Sequence, residues 1–305
     1  EANVCVSLAN MGVETEFVTR LPENEISRCG IAALNKYRVK TDNIPVGGDR
    51  IGIFYCEKGA SQRPSKVIYD RMNTGFTTCK TEDYDWEKIF DGAGYFHFTG
   101  ITPALGESVA AVCLDACKMA KECGITVSCD LNYRKNLWTT EQAKATMERL
   151  LEYVDILIAN EEDAEKVLGI SAPDTDVTAG KLNKEGYVSV AKQICRKYGI
   201  PTVAITLRQS ISASDNNWSG MLYTNDTAYF SREYAVHLVD RVGGGDSFGA
   251  GLIFAIGHGF EPQKCIDYAV AASCLKQTME WDVNLSTEKE IMTLVNGDGS
   301  GRVQR

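Results

Sequence analysis

Asp240-Arg241-Val242-Gly243-Gly244-Gly245-Asp246-Ser247-Phe248-Gly249-Ala250-Gly251 runs three consecutive glycines into an aspartate, and an apolar helical pattern begins at once with Phe248, Leu252, Ile253, Ala255 and Ile256. Glycines let successive backbone N–H groups converge on one point. A helix start adds unpaired N–H groups and the positive end of its dipole. The combination is an anion site, and phosphate is its usual occupant. A carboxylate at a phosphate cradle repels the ligand, so Asp246 makes sense if it takes a proton from a hydroxyl attacking that phosphate. The plainer reading is that Asp246 N-caps the helix. Other phosphate motifs are excluded, since G-x-x-x-x-G-K-[ST] is absent and the spacing around Gly243 does not give G-x-G-x-x-G.

Upstream of the loop, strand and helix patterns alternate. Strands are expected at 93–99, 125–130, 155–160 and 201–207, with helices at 107–122, 140–153, 161–168 and 188–198. Two antiparallel strands, 220–224 and 227–230, precede the loop; helices near 246–258, 262–279 and 287–295 follow it. Residues 3–11 read as a helix, 18–20 as a short strand, 31–37 as helix and 171–183 as a surface loop. Buried strands alternating with amphipathic helices imply an α/β fold with a mostly parallel central sheet covered on both faces. Such sheets bind ligands beyond the carboxyl ends of their strands. Residues 47–76 differ: alternation at 51–55 and 66–71 predicts a small antiparallel β-sheet lid, and 77–305 the α/β core carrying the glycine loop, in one domain spanning 1–305.

The chain has 305 residues, and its charge balance is 32 − 41 = −9, which argues against nucleic-acid and anionic-membrane partners. Eleven cysteines without a C-x-x-C pair read as buried thiols of a cytoplasmic protein. Asp130-Leu131-Asn132-Tyr133-Arg134 closes a strand and points polar groups toward the ligand crevice, or forms an Asx-turn with a surface arginine. Asn160-Glu161-Glu162-Asp163 stands at a helix start, where acidic residues ordinarily serve the dipole. In the lid, Tyr55, Tyr69 and Arg71 are read as sharing one face, suited to a sugar with an acidic end: tyrosines pack on the sugar, and a guanidinium pairs with the carboxylate. The alternative there is cross-strand packing or a dimer contact. Arg71 and Arg134 together favour a carboxylated sugar over a neutral one.

The run Asp240-x-x-Gly-x-Gly-Asp246, with Gly249 and Gly251 following, resembles the second signature of the ribokinase-like (PfkB) carbohydrate kinases, with Gly244 where that family usually has alanine. Asp130-x-Asn132-x-Arg134 fits the same family. Within it, Glu1-Ala2-Asn3, Tyr55, Tyr69-Asp70-Arg71, 57–64, 97–103, 212–216 and 297–305 are similar to the 2-keto-3-deoxygluconate kinases. The resemblance implies a ribokinase-like fold and ATP-dependent phosphorylation of the terminal hydroxyl of a sugar acid. Asp246 would be the base, and Gly243, Gly244 and Gly245 the anion hole. Asn3, Tyr55, Tyr69, Arg71 and Arg134 would contact the sugar acid; Asn160, Thr206, Arg208, Gly243 and Gly245 would contact ATP. Asp163, where the family has glutamate, and Glu162 would meet Mg²⁺ through water. A monovalent cation and a homo-oligomer are further expectations. In relatives a core strand and two or three glycines precede the residue matching Glu1, so the sheet is expected to lack that first strand here. The competing readings are a neutral-sugar kinase of the fructokinase or ribokinase type and a catalytically silent sugar-acid sensor.

Overall fold

The structure is a computed structural model of the chain and describes residues 1–160, 162–171, 184–297 and 299. Most of the expected 171–183 loop, and the closing run from residue 300, lie outside the described residues.

Nine strands and ten α-helices are described. Helices α1 (Ala2–Asn10) and α2 (Glu25–Lys36) come first, then β1 (Ile53–Glu57) and β2 (Lys66–Asp70). The short α3 (Trp86–Ile89) leads into β3 (Tyr95–Thr99), α4 (Glu107–Glu122), β4 (Thr126–Asp130), α5 (Thr140–Leu151), β5 (Ile156–Asn160) and α6 (Asp163–Leu168). Next are α7 (Lys184–Tyr198), β6 (Thr202–Ser210), β7 (Asp215–Thr224), β8 (Thr227–Phe230) and β9 (Tyr234–His237). The chain closes with α8 (Gly244–Gly257), α9 (Pro262–Gln277) and α10 (Glu288–Val295).

The large sheet has the order β3-β4-β5-β6-β7-β8, with β9 beside the other half of β7. Strands β3 to β6 are parallel. β7 opposes β6, and β8 and β9 oppose β7, so among the described strands of this sheet β7 alone runs backwards. Alternation along β5 explains the layering. Leu157 and Ala159 enter one core with residues of α4, α5 and α7, while Ile156 and Ile158 enter the other with α1, α8 and α9. Helix α8 is apolar nearly all round, which fits its place between the sheet and α9. Gly251 makes that approach possible, because a Cβ there would lie 3.0 Å from the Ala269 Cα. The pair β1–β2 forms a separate antiparallel sheet, the lid.

Several expectations need correcting. Residues 18–20 form no strand; the neighbouring chain makes only single bridges, Glu16 to Lys40 and Leu21 to Val46. Helix α2 begins six residues earlier than its apolar pattern suggests, because the Asn24 side chain accepts from the Ser27 N–H and caps it. β7 extends back to Asp215, and β9 pairs with that polar half. All eleven cysteines are free, but Cys29, Cys56 and Cys123 are exposed rather than buried. Among the described residues no helix is long and apolar enough to cross a membrane.

Candidate active site

Thr99, Asp130 and Asn160 end β3, β4 and β5, Thr206 stands at the middle of the longer β6, and the registers Thr99↔Asp130 and Asn160↔Thr206 align them in pairs. They border a cleft of about 2000 Å³ that runs from the lid to the glycine loop. Asn3, Tyr69, Arg71, Arg134, Asn160, Glu162, Asp163, Thr206, Arg208, the three glycines and Asp246 all line it.

Gly243 is the N-cap of α8, which overturns the plain reading of Asp246 as the cap. Its φ of 80° is in the left-handed region, and a Cβ there would overlap the carbonyl oxygen of Asp282, so only glycine fits. Asp246 therefore sits in the first turn of the helix. The N–H groups of Gly245 and Asp246 have no hydrogen-bond partner among the described residues, which leaves two donors at the positive end of the helix. A carboxylate oxygen of Asp246 accepts from the Asn3 Nδ2 at 2.8 Å. Asn3, read from sequence as a sugar contact, thus holds the aspartate itself.

The lid register pairs Phe54 with Tyr69 and Tyr55 with Ile68. Directly opposed residues share a face and neighbours along a strand do not, so Tyr55 lies opposite to Tyr69 and Arg71. This corrects the shared face expected for the three. Phe54 takes that place, its ring 6.4 Å from the Tyr69 ring, and the Arg71 guanidinium lies 4.1 Å from the centre of the Tyr69 ring. Burial, and then the charge of Arg134, lower the pKa of Arg71. Among the described residues neither arginine has a carboxylate within ion-pair distance. Asp130 accepts from the Asn132 N–H at 3.2 Å, and Asn132 has a φ of 38°, so the expected Asx-turn is present and borders the cleft as well. Burial and the charges of Asp163 and Asp246 push the Asp130 carboxyl up to about 8, against the pull of Arg134.

Asn160 spends its side-chain oxygen on the Glu162 and Asp163 N–H groups, each at 2.9 Å, fixing the start of α6 and leaving its amide N–H groups for a ligand. Asp163 is buried and accepts from the Tyr133 N–H at 3.1 Å; Glu162 pairs with Lys166. No group of three metal-binding side chains is assembled among the described residues. That donor set fits a hydrated Mg²⁺, which keeps several waters and takes one or two carboxylates beside substrate phosphates.

Sequence reasoning missed two residues of note, one lining the cleft and one tying the lid to the core. Arg241, just before the glycine loop, is half-buried; burial and the charge of Arg208 lower its pKa, and both arginines line this end of the cleft. Lys58, past β1, reaches from the lid to Asp240 at 3.4 Å and also pairs with Glu280. A basic residue beside a phosphate loop was a usable signal for Arg241; nothing local marks Lys58.

A three-layer fold with a glycine-turned helix start, an oriented aspartate and a lid defines a phosphotransferase site of the ribokinase-like class. The chain belongs to the pfkB family of carbohydrate kinases, whose model matches residues 1–280. The 2-dehydro-3-deoxygluconokinase of Thermotoga maritima has a solved structure that is 52% identical, with a TM-score of 0.93 over 97% of this chain and 88% of that one. The 2-dehydro-3-deoxygalactonokinase of Haloferax volcanii is 27% identical over 99% of this chain and 88% of its own length. A fructokinase structure with bound ATP from Xylella fastidiosa, 17% identical, shares the fold with a TM-score of 0.75 over 97% of this chain and 89% of that one.

Proposed function

We propose that this protein phosphorylates the terminal hydroxyl of 2-dehydro-3-deoxygluconate (2-keto-3-deoxygluconate) with ATP. The observation that carries the sugar-acid reading is the pair Arg71 and Arg134, two neighbouring guanidiniums without a carboxylate partner among the described residues, lining the cleft that holds Asp246. A sugar carboxylate is the anion that such a pair binds bidentately. The names of the relatives from Thermotoga and Haloferax, which act on epimeric sugar acids, support the same class.

In this reading Tyr69 and Phe54 cover the carbon chain of the sugar. Asn3 keeps the Asp246 carboxylate aimed at the terminal hydroxyl. Asp246 takes the hydroxyl proton as the oxygen forms its bond to the γ-phosphorus; the bond from that phosphorus to the bridging oxygen breaks, and ADP leaves. The free N–H groups at the start of α8, with Arg208 and Arg241, hold the charge on the transferred group. Thr206 and the Asn160 amide border the nucleotide. Mg²⁺, held through water by Glu162 and Asp163, would neutralise phosphate charge. Tyr55, with Ile68, belongs to the outer face of the lid, where the two are 60% and 55% exposed; a second copy of the chain is the partner that suits that face.

A coupled ATPase panel tests the proposal, with both epimeric sugar acids beside fructose and ribose. Turnover of a sugar acid with kcat/KM at least about 100-fold above the neutral sugars is expected, consistent with loss of a charged hydrogen-bonded pair. Equal or better turnover of a neutral sugar would move the protein to the fructokinase or ribokinase type. Sugar-acid binding with no turnover of any sugar would make it a sensor.

A further inference from the structure

Lys276, in the last turn of α9, is fully buried, and it does not border the cleft. Its ammonium donates to the backbone carbonyl of Asp240 at 3.0 Å. No carboxylate stands within ion-pair distance of it among the described residues. Asp240, Asp282 and Asp246 attract the charge from further away, and Lys58 repels it. An apolar side chain of the same length would fill this space at less cost, because a buried ammonium without a direct counter-charge is expensive to keep. The charge therefore has work to do here.

The neighbourhood indicates what that work is. The end of α9 grips the back of the glycine loop at several points. Ser273 Oγ donates to the Gly244 carbonyl at 2.7 Å, and the Gln277 carbonyl accepts from the N–H groups of Val239 and Asp240 at 2.9 and 3.3 Å. Lys276 adds the one full positive charge to this grip, from outside the cleft. The carbonyl it draws belongs to the peptide that enters the turn; the Val242 and Gly244 N–H groups that follow are bonded within the turn, and those of Gly245 and Asp246 have no partner among the described residues.

We infer that Lys276 is a positioning residue that acts as a built-in monovalent cation behind the anion hole, so that turnover needs no added monovalent cation. It holds the Asp240 carbonyl and, with it, the orientation of the N–H groups of Gly245 and Asp246. It also sets a fixed positive charge behind a loop that must face both the Asp246 carboxylate and a triphosphate. The inference rests on the kinase reading above.

The test begins with the wild-type protein and 2-dehydro-3-deoxygluconate, with sodium, potassium or tetramethylammonium as the sole monovalent cation at constant ionic strength. Turnover should agree within about twofold across the three. Lys276→Met, checked for a cooperative melt, should lose kcat by about tenfold or more while the KM for the sugar acid stays within about threefold, the signature of a transition-state effect. Ammonium, potassium or methylamine should restore part of that loss in the variant and leave the wild type unchanged. A wild type that loses turnover more than about fivefold in tetramethylammonium overturns the inference, as does a folded Lys276→Met with kcat within about twofold of wild type. If Lys276→Met does not fold, the wild-type salt series decides alone. Absence of turnover in every salt removes the kinase reading and this inference with it, whereas turnover that depends on the salt removes this inference only.

Discussion

The two ends of the cleft are built differently. The glycine loop is backed by α9, bonded at three backbone positions and closed around a carbonyl oxygen that leaves no space for a Cβ at Gly243. The lid is two strands paired only with each other, and every residue of β1 is exposed. Its ties to the core are peripheral: Lys58 to Asp240 and Glu280, the Ser61 N–H to Ser214 Oγ at 2.9 Å, and the Ala213 N–H to the Ser61 carbonyl at 2.8 Å. The glycine-loop end is thus part of the global fold, whereas the lid end has little buried area to lose and can open locally. Substitutions at the first should cost stability or chemistry, and at the second mainly substrate binding.

Asp246→Asn gives the largest effect. It should lower kcat by about 10²–10⁴-fold while nucleotide binding by calorimetry and the melting temperature stay near wild type, because the side chain keeps its size and its neighbour Asn3. Full turnover in this variant would remove Asp246 as the base. Gly243→Ala attacks the frame and not the chemistry. A left-handed φ and the overlap with the Asp282 oxygen should together cost at least about 2 kcal/mol, seen as a lower denaturation midpoint as well as lost activity.

Arg71→Ala tests the other end. Loss of a charged hydrogen-bonded contact of roughly 1.5–3 kcal/mol should raise the KM for the sugar acid about 10–100-fold and leave the unfolding midpoint unchanged. A similar loss for neutral sugars would show that the guanidinium does not read a carboxylate.

Asp130 provides a pH test on the fixed side. Its folded pKa of about 8 lies above its ordinary 3.8, so between those values the native state keeps a proton that the unfolded chain has released. Native protein then binds more protons than unfolded protein, and stability falls as pH rises through that window. Because the carboxyl is only partly buried beside the cleft, the contribution is discounted to the order of 1–2 kcal/mol. Asp130→Asn should flatten the decline in melting temperature between about pH 5 and about pH 8.5, and an unchanged decline would place its origin elsewhere.

The same division governs what could be read from the amino acids. Helix α4 and strand β8 have the bounds that their patterns predict, because amphipathic period and flanking glycine or turn residues are local. Gly243 to Asp246 were legible for the same reason: a glycine turn into an apolar helix is a local signal. Pairing between segments is not local. The face of Tyr55 depends on how the 58–65 loop sets the register of β1 against β2, and alternation within either strand leaves that open. The polar half of β7 carries no local strand pattern, because its buried Asn216 and its partner β9 appear only once the sheet is assembled. Lys276 lies in a helix in which a lysine would ordinarily face water, and only the packing of α9 on the glycine loop buries it.

The smallest expected effect comes from the contact that joins the two ends. Lys58 is 44% exposed in its side chain and bridges Asp240, which is 11% exposed, and Glu280, which is 64% exposed. An ion pair of this kind contributes about 0.2–1 kcal/mol and weakens with salt. Lys58→Ala should therefore leave the unfolding midpoint almost unmoved. If the lid closes through this tie, the KM for the sugar acid rises by about two- to fivefold at low ionic strength, and the difference from wild type shrinks as salt is added. An effect on kcat instead would mean that Lys58 acts through Asp240 on the glycine loop, and the lid would then be coupled to the chemistry rather than to capture of the sugar. A KM difference that salt does not alter would exclude the ion pair as the tie and leave the Ser61 hydrogen bonds to carry it.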